Sequence, residues 1–253
     1  MDELHDHYDD YPSIEHLSPI TEKRFEELLD RFEPYRKSGR LIDVGCGAGL
    51  FLRVAAKRGW EVHGTEFGER AIAACKANGI KMIKGQLVAG NYPPGYFDVV
   101  CSFEVLEHLS HPDPELRQMV VILREGGLLY ATTPNFNCLA RRLDPSNWNV
   151  ASYPEHLNYF TPASFDRLMS RTGFQKRWLV TTGFSVYRWR VGKGTGDQQF
   201  KVEAKAGQEH LRMQLESRWY LKLAKSVVNA VLNALDLGDS MKGGFVRDKG
   251  TAQ

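Results

Sequence analysis

Three groups of residues have types and spacings that could do chemistry. The first is Asp43-Val44-Gly45-Cys46-Gly47-Ala48-Gly49, where a short apolar run ends in a carboxylate and a G-x-G-x-G loop. Glycines let a backbone turn tightly and approach a ligand closely. An acidic residue, Glu66, follows about 20 residues on, where a carboxylate can accept both hydroxyls of a ribose. Alternatively, Glu66 opens a turn and caps the helix beginning at Glu69. The dinucleotide fingerprint needs a small residue where Leu50 stands, so the loop suits a ligand without a pyrophosphate better than NAD.

The second group is Glu104, Glu107 and His108. On a helical turn, positions three and four apart share a face. A carboxylate and an imidazole there could take a proton from a hydroxyl, with His the natural base near neutral pH. The plain alternative is a pair of polar helix residues packing on the following loop. The third group lies in Tyr153-Pro154-Glu155-His156-Leu157-Asn158-Tyr159-Phe160-Thr161, where His156 is either a base or acceptor ligand, or a buried imidazole fixing its loop. Tyr159 and Phe160 read as core rather than as a substrate stack. His5, Asp6, His7, Asp9 and Asp10 are metal-like in composition, but a frayed terminus is expected, with a lid of Tyr8 and Tyr11 as the alternative.

The elements that must position these residues follow from periodicity. Thr21 to Tyr35 reads as a helix, with Phe25, Leu28, Leu29 and Phe32 at helical spacing. Strands are expected at 40–44, 61–66, 80–84, 97–102 and 128–132, with helices at 50–58, 69–77 and 114–123 between them. Strands alternating with helices mean βαβ units and a parallel sheet. The chain reads as irregular from Pro134 to Asn158. Thr161 then resembles an N-cap with Pro162 at the first helical position, opening a helix to about Thr172. A strand over 174–182 and a loop or lid over 193–210 follow. In the tail, Leu211, Leu215, Trp219, Leu223, Val227, Val231 and Leu235 form one stripe, with Arg212, Arg218, Lys222 and Lys225 around it. That stripe is expected to pack on the domain or a second subunit, with an interfacial membrane helix as the alternative. Residues 241–247 read as a last, antiparallel edge strand.

The glycine loop, Glu66, Phe97-Asp98-Val99-Val100, Glu107-His108 and Leu123-Arg124-Glu125-Gly126-Gly127 together resemble the class I S-adenosylmethionine-dependent methyltransferases. Arg-Glu-Gly-Gly replaces the family's usual Lys-Pro-Gly-Gly. The resemblance covers most of Leu41 to Phe174. It implies an α/β fold, Rossmann-like and doubly wound, with a mostly parallel seven-stranded sheet and helices on both faces. It also implies three regions: a helical extension or lid over 1–38, the methyltransferase core with the S-adenosylmethionine site over 39–185, and a loop, helix and edge strand over 186–253 completing the sheet.

By the same resemblance, Asp43 and the loop of Gly45, Cys46, Gly47 and Gly49 hold the amino-acid end of the cofactor. Glu66 holds the ribose and Phe67 packs near adenine. Gln86 stands where the family often has an acidic residue contacting the adenine amino group, and an amide can still make that contact. Ser102 and Phe103 lend backbone groups beside the methionine moiety. Glu104 to His108 is similar to the corresponding run of quinone-biosynthesis O-methyltransferases, which is linked there to a divalent cation; the sequence itself assigns no metal ligands. The 153–161 segment resembles a Glu-His-Leu/Ile…Phe-Thr-Pro pattern of small-molecule methyltransferases, including members associated with polysaccharide synthesis.

The expected reaction is therefore O-methylation of a small molecule, on a sugar or a phenolic or quinone-like hydroxyl, with His108, His156 and Glu107 as catalytic candidates. N- or C-methylation and a non-catalytic S-adenosylmethionine-binding module are the alternatives. Ser102-Phe103-Glu104 departs from the Asn/Asp-Pro-Pro-Tyr motif of amino methylases. A net charge of +2 gives no strong global field for nucleic acid. No apolar run is long enough to span a bilayer, and the start lacks the order of a secretory signal. Cys46, Cys75, Cys101 and Cys138 are widely spaced, so neither a zinc site nor a disulfide framework is expected, and the protein reads as cytoplasmic.

Overall fold

Short apolar runs that end in glycine or an acidic residue become the inner strands of a sheet, buried on both faces. The computed structural model describes residues 17–148, 150–184 and 219–248. Seven strands form one sheet: β1 (Arg40–Val44), β2 (Glu61–Glu66), β3 (Lys81–Lys84), β4 (Phe97–Phe103), β5 (Leu123–Pro134), β6 (Phe174–Thr182) and β7 (Ser240–Arg247). Their order is β3-β2-β1-β4-β5-β7-β6. The first five run parallel, and β7 lies antiparallel between β5 and β6. The parallel part is what the alternation predicts, and the seven-stranded doubly wound sheet is what the family resemblance implies. Its order reverses between β1 and β4, where ligands bind at the strands' carboxyl ends.

Helices α1 (Pro19–Phe32), α2 (Leu50–Lys57), α3 (Glu69–Ala77), α4 (Pro112–Ile122), α5 (Leu139–Leu143), α6 (Pro162–Arg171) and α7 (Trp219–Ala234) complete the described residues. Strand side chains alternate between two cores. Leu41, Val99, Leu128 and Tyr130 join Leu29 and Phe32 of α1 and Phe51 and Leu52 of α2. Ile42, Val100, Leu129 and Ala131 join Leu116 and Met119 of α4 and Phe165 and Leu168 of α6. The helix after Thr161 forms as expected, and its N-cap is a reciprocal box of Thr161 and Ser164.

Several expectations need correction. The strand of Ser240–Arg247 is not at an edge: it pairs with both neighbours, and β6 is the edge. Its alternation fits an inner or an edge place equally, so pairing order alone decides. Residues 240–247 complete the sheet, and α1 packs into the core through Leu29 and Phe32, both fully buried. The 134–158 stretch holds the short helix α5 and a 3-10 turn at Pro145–Asn147. The tail stripe does not pack on the domain: Leu223, Val227, Val231 and Leu235 are 52–59% exposed. The helix docks instead through Leu232 and two amides. Asn233 Oδ1 accepts Thr181 N at 2.8 Å and Asn229 Oδ1 accepts Gly183 N at 3.0 Å. Leu211, Leu215, the 193–210 loop and the histidine-rich start lie outside the described residues.

At the amino ends of the strands, one carboxylate ties three elements. Asp98 of β4 is fully buried. It accepts Lys37 N at 2.9 Å, Ser38 Oγ at 3.1 Å, Gly39 N at 2.7 Å and Arg124 Nε at 2.7 Å. Burial alone would raise its pKa, but these donors outweigh it and hold the carboxyl below the ordinary range. Its contribution to stability is therefore complete above the unfolded-chain value of about 3.9 and is lost as pH falls through the lower folded-state value. Asp98→Ala strands several buried donors and should lower stability by about 3–5 kcal/mol at neutral pH. Urea denaturation from pH 7 down to pH 2 should show the loss shrinking in acid; a constant difference would contradict this account.

Candidate active site

The glycine loop joins β1 to α2. Gly45, Gly47 and Gly49 all have positive φ, at 75°, 51° and 67°. Gly45 is also held by contact, since a Cβ there would lie 2.7 Å from Val105 Cγ2. The loop's donors are bonded inward. Gly45 N and Cys46 N both donate to Thr65 O at 3.0 Å, Gly47 N donates to Glu66 Oε2 at 2.8 Å, and Gly49 N donates to Cys46 O at 3.0 Å. A dinucleotide loop turns such groups toward phosphates; this one does not. The Cys46 thiol lies against Met82, at 3.9 Å, so the side chain points into the protein.

Glu66 ends β2, with Oε1 accepting Phe67 N at 2.7 Å and Gly68 N at 3.2 Å. Phe67 lies within 3.9 Å of a Cβ built on Gly85, and Gln86 stands exposed beside it just past β3. Asp43 is buried at the end of β1, and its Oδ1 has no hydrogen-bond partner among the described residues. Burial, then the nearby Glu66, pushes its carboxyl well above the ordinary range. Ser102 is fully buried with its Oγ likewise unpartnered. Phe103 is partly buried and packs its ring against Phe51 at 5.1 Å and Tyr130 at 5.5 Å.

The two other candidate regions form one site. Glu104 to His108 is a single turn rather than a helix, entered by Glu104 at φ 53°. A positive φ in a residue other than glycine is a strained geometry that clusters at functional sites. Glu104 N donates to Thr132 O at 3.0 Å. The Glu107 carbonyl accepts Leu157 N at 2.8 Å and Asn158 N at 2.9 Å, and the Asn158 amide donates to Leu109 O. His108 Nδ1 bonds Glu155 O at 2.7 Å and His156 Nδ1 bonds Val150 O at 2.7 Å. A carbonyl only accepts, so both Nδ1 atoms carry protons and, in the neutral rings, both Nε2 atoms keep a lone pair. The rings meet edge to face with centroids 4.7 Å apart.

Glu107 is 1% exposed; Oε2 accepts Thr133 Oγ1 at 3.0 Å, and Oε1 is unpartnered among the described residues. Burial, with Glu104 beside it, pushes Glu107 up to about 8. Burial, and then His156 against the Glu155 carbonyl, pulls His108 down. The usual order of a carboxyl and an imidazole is thus inverted, which marks acid–base sites. One ligand atom each from Glu107, His108 and His156 lies within 4.8 Å of the others. Thr133, Asn158 and the Glu155 carbonyl support this cluster, and nothing in their spacing announced it.

A family model described as Methyltransferase domain matches residues 16–179. The chain is similar to the ubiquinone biosynthesis O-methyltransferase of Aeromonas salmonicida (strain A449), 27% identical over 179 residues that cover 65% of this chain and 75% of the relative. It is also similar to that of Pseudomonas paraeruginosa (strain DSM 24068 / PA7), 33% identical over 38% of this chain and 45% of the relative, so it spans under half of that protein's length. Similar solved structures include an S-adenosylmethionine-dependent methyltransferase from Archaeoglobus fulgidus, at TM-score 0.59, 18% identity and coverage of 89% and 94% of the two chains. Another is a geranyl diphosphate C-methyltransferase from Streptomyces coelicolor A3(2), at TM-score 0.61, 14% identity and coverage of 98% and 83%.

The glycine loop gives a direct test. Gly45→Ala should cost about 1–3 kcal/mol, from the left-handed backbone and the contact with Val105. Combining it with Val105→Ala should recover only the contact part. Full recovery in chemical denaturation would mean that the backbone is not strained.

Proposed function

The chain belongs to the methyltransferase-domain family and uses S-adenosylmethionine, and from that premise we propose that it methylates a hydroxyl of a small molecule. The observation carrying this is the convergence of Glu107, His108 and His156 beside the carboxyl end of β4. A hydroxyl acceptor must lose a proton to become an effective nucleophile, and a base placed there supplies that step. A phenolic or quinone-like ring is the acceptor class that the similarity to ubiquinone O-methyltransferases favours, with a sugar hydroxyl the other candidate.

S-adenosylmethionine, when bound, supplies a methyl group already activated on a sulfonium, so the protein's task is alignment. The residues fit it. Asp43 and Ser102 offer buried polar atoms without partners among the described residues, and the loop's bonded amides turn inward rather than toward a phosphate. Asp43 and the Gly45–Gly49 loop hold the amino-acid end and Glu66 the ribose. Phe67 and Gln86 flank adenine, and the Ser102 and Phe103 backbone lies beside the methionine moiety. Nε2 of His108 takes the acceptor's proton, with its ring oriented by the Glu155 carbonyl. His156, oriented by the Val150 carbonyl, lies against that ring and lines the acceptor side. Glu107, anchored by Thr133, completes the polar wall.

A second reading has one observation in its favour. Both imidazoles donate Nδ1–H to carbonyls, the arrangement that orients metal-ligating histidines, and the unpartnered Glu107 Oε1 supplies a carboxylate. A divalent cation held by Glu107, His108 and His156 would lower the acceptor hydroxyl's pKa. Four free cysteines among the described residues suit a cytoplasmic location. The small net charge suits an acceptor other than nucleic acid.

Calorimetric titration should show S-adenosylmethionine and S-adenosylhomocysteine binding, no NAD binding, and loss of the adenosyl ligands in Asp43→Ala and Glu66→Ala. NAD binding would overturn the cofactor assignment. With a phenolic acceptor panel, His108→Ala should lower kcat by about 10²–10⁴-fold while adenosyl binding persists. A change below a few-fold in both His108→Ala and His156→Ala would remove them from the chemistry. Treatment with a chelator separates the two readings: activity lost and restored by added Mg²⁺ or Zn²⁺ supports the cation, and unchanged activity supports the imidazole base alone.

A further inference from the structure

Three sulfurs meet behind the glycine loop, brought from parts of the chain whose spacing announces no metal motif. Cys46 belongs to the loop itself, Cys75 to α3 and Met82 to β3. Cys46 Sγ lies 3.9 Å from Met82 Sδ. The Cys46 and Cys75 thiols both donate to one carbonyl oxygen, that of Gly47, at 3.7 Å and 3.5 Å. They also hydrogen-bond one another. None of these sulfurs has a part in the methyl transfer described above.

The backbone makes room for them. Gly64 of β2 pairs with Asp43 of β1 on one side and Met82 of β3 on the other. A Cβ there would stand 2.7 Å from Cys46 Sγ and 2.9 Å from Met82 Sδ. A Cβ on Gly49 would stand 2.6 Å from Cys75 Sγ. These approaches are too close for a methyl group, so each sulfur owes its place to a missing side chain. Leu52 and Ile80, both buried, stand against the same two glycines and wall the cluster. Cys46 and Met82 are only partly buried, which leaves the sulfurs reachable from solvent.

Apolar packing does not require two thiols to aim at one oxygen. Thiolates and thioethers are soft ligands that select thiophilic cations. A tetrahedral centre with metal–sulfur bonds of about 2.3 Å and a metal–oxygen bond of about 2.1 Å has sulfur–sulfur edges of about 3.8 Å and sulfur–oxygen edges of about 3.6 Å. The observed separations of 3.9 Å, 3.7 Å and 3.5 Å match those edges. A cation seated here takes the place of the two thiol protons, which pass to solvent. Two thiolates balance a divalent charge, so no net charge is buried and no oxidant is needed.

We propose that Cys46 Sγ, Cys75 Sγ, Met82 Sδ and the Gly47 carbonyl bind one thiophilic divalent cation of the size of Zn²⁺. The site is distinct from Glu107, His108 and His156, which offer only nitrogen and oxygen. It does not depend on the identity of the methyl acceptor, and its occupancy is measured without turnover.

The test is anaerobic titration of the reduced full chain with Co²⁺, followed by Zn²⁺. Cobalt in a tetrahedral thiolate site shows intense visible bands and a near-ultraviolet sulfur-to-cobalt charge-transfer band; a site of nitrogen and oxygen lacks the second. One Co²⁺ per chain should produce both features, and Zn²⁺ should bleach them. Cys75→Ser should lose the charge-transfer band, and His108→Ala should keep it. Met82→Leu conserves core volume and should weaken Co²⁺ binding about tenfold or more. Thermal melting and S-adenosylhomocysteine binding check that the variants fold. No charge-transfer band in the intact protein, or the same band in Cys75→Ser, overturns the proposal. Equal Co²⁺ affinity in Met82→Leu overturns the three-sulfur site.

Discussion

Burying one carboxylate is the constraint on which the sheet's alignment rests. Asp98 has no exposed surface, and an unpaired charge there would be prohibitive. Its donors come from the segment entering β1 and from Arg124 on β5. The carboxylate is stable only when the amino ends of β1, β4 and β5 are level. Once they are level, parallel registers carry the alignment along the strands, and their carboxyl ends arrive together at the crevice. The family-typical Lys-Pro-Gly-Gly is replaced here by a sequence whose arginine takes a structural role, and Gly126, at φ 66°, lies where β5 shifts register against β4.

The opposite ends of the same strands are built on the reverse principle. Buried polar groups are normally bonded, yet Asp43, Ser102 and Glu107 each keep one atom without a partner among the described residues. All three sit at the carboxyl ends of β1 and β4 or in the turn beyond. Three buried side-chain oxygens without partners among the described residues thus gather at the carboxyl ends of the strands, where a ligand can supply the missing bonds. The strained backbone at Glu104 belongs to the same end, held by Thr132.

Much of this was legible in local spacing. The glycine loop, Glu66, the alternating strands and the Thr161 cap are contiguous patterns, and local physics writes them. The union of Glu107-His108 with His156 was not legible, because it depends on main-chain bonds between Glu107 and residues 157–158, which carry no side-chain signature. The place of β7 depends on pairing order rather than composition. The tail helix misled for a different reason. Its asparagines count as polar and suggest solvent, but Asn229 and Asn233 are the residues that face the sheet.

That inversion also settles how the sheet ends. β6 is the outermost strand on its side, and an outermost strand presents unpaired amides that invite a strand from another molecule. The two asparagine side chains of α7 occupy the amides of Thr181 and Gly183, while Thr181 Oγ1 bonds the Leu232 carbonyl at 3.1 Å. The far edge is guarded differently, by a strand of only four residues with lysines at both ends, Lys81 and Lys84. The helix that leaves valines and leucines facing outward is thus also a stopper. It occupies the Thr181 and Gly183 amides, so a strand from another molecule pairing at this end of β6 would first have to displace α7.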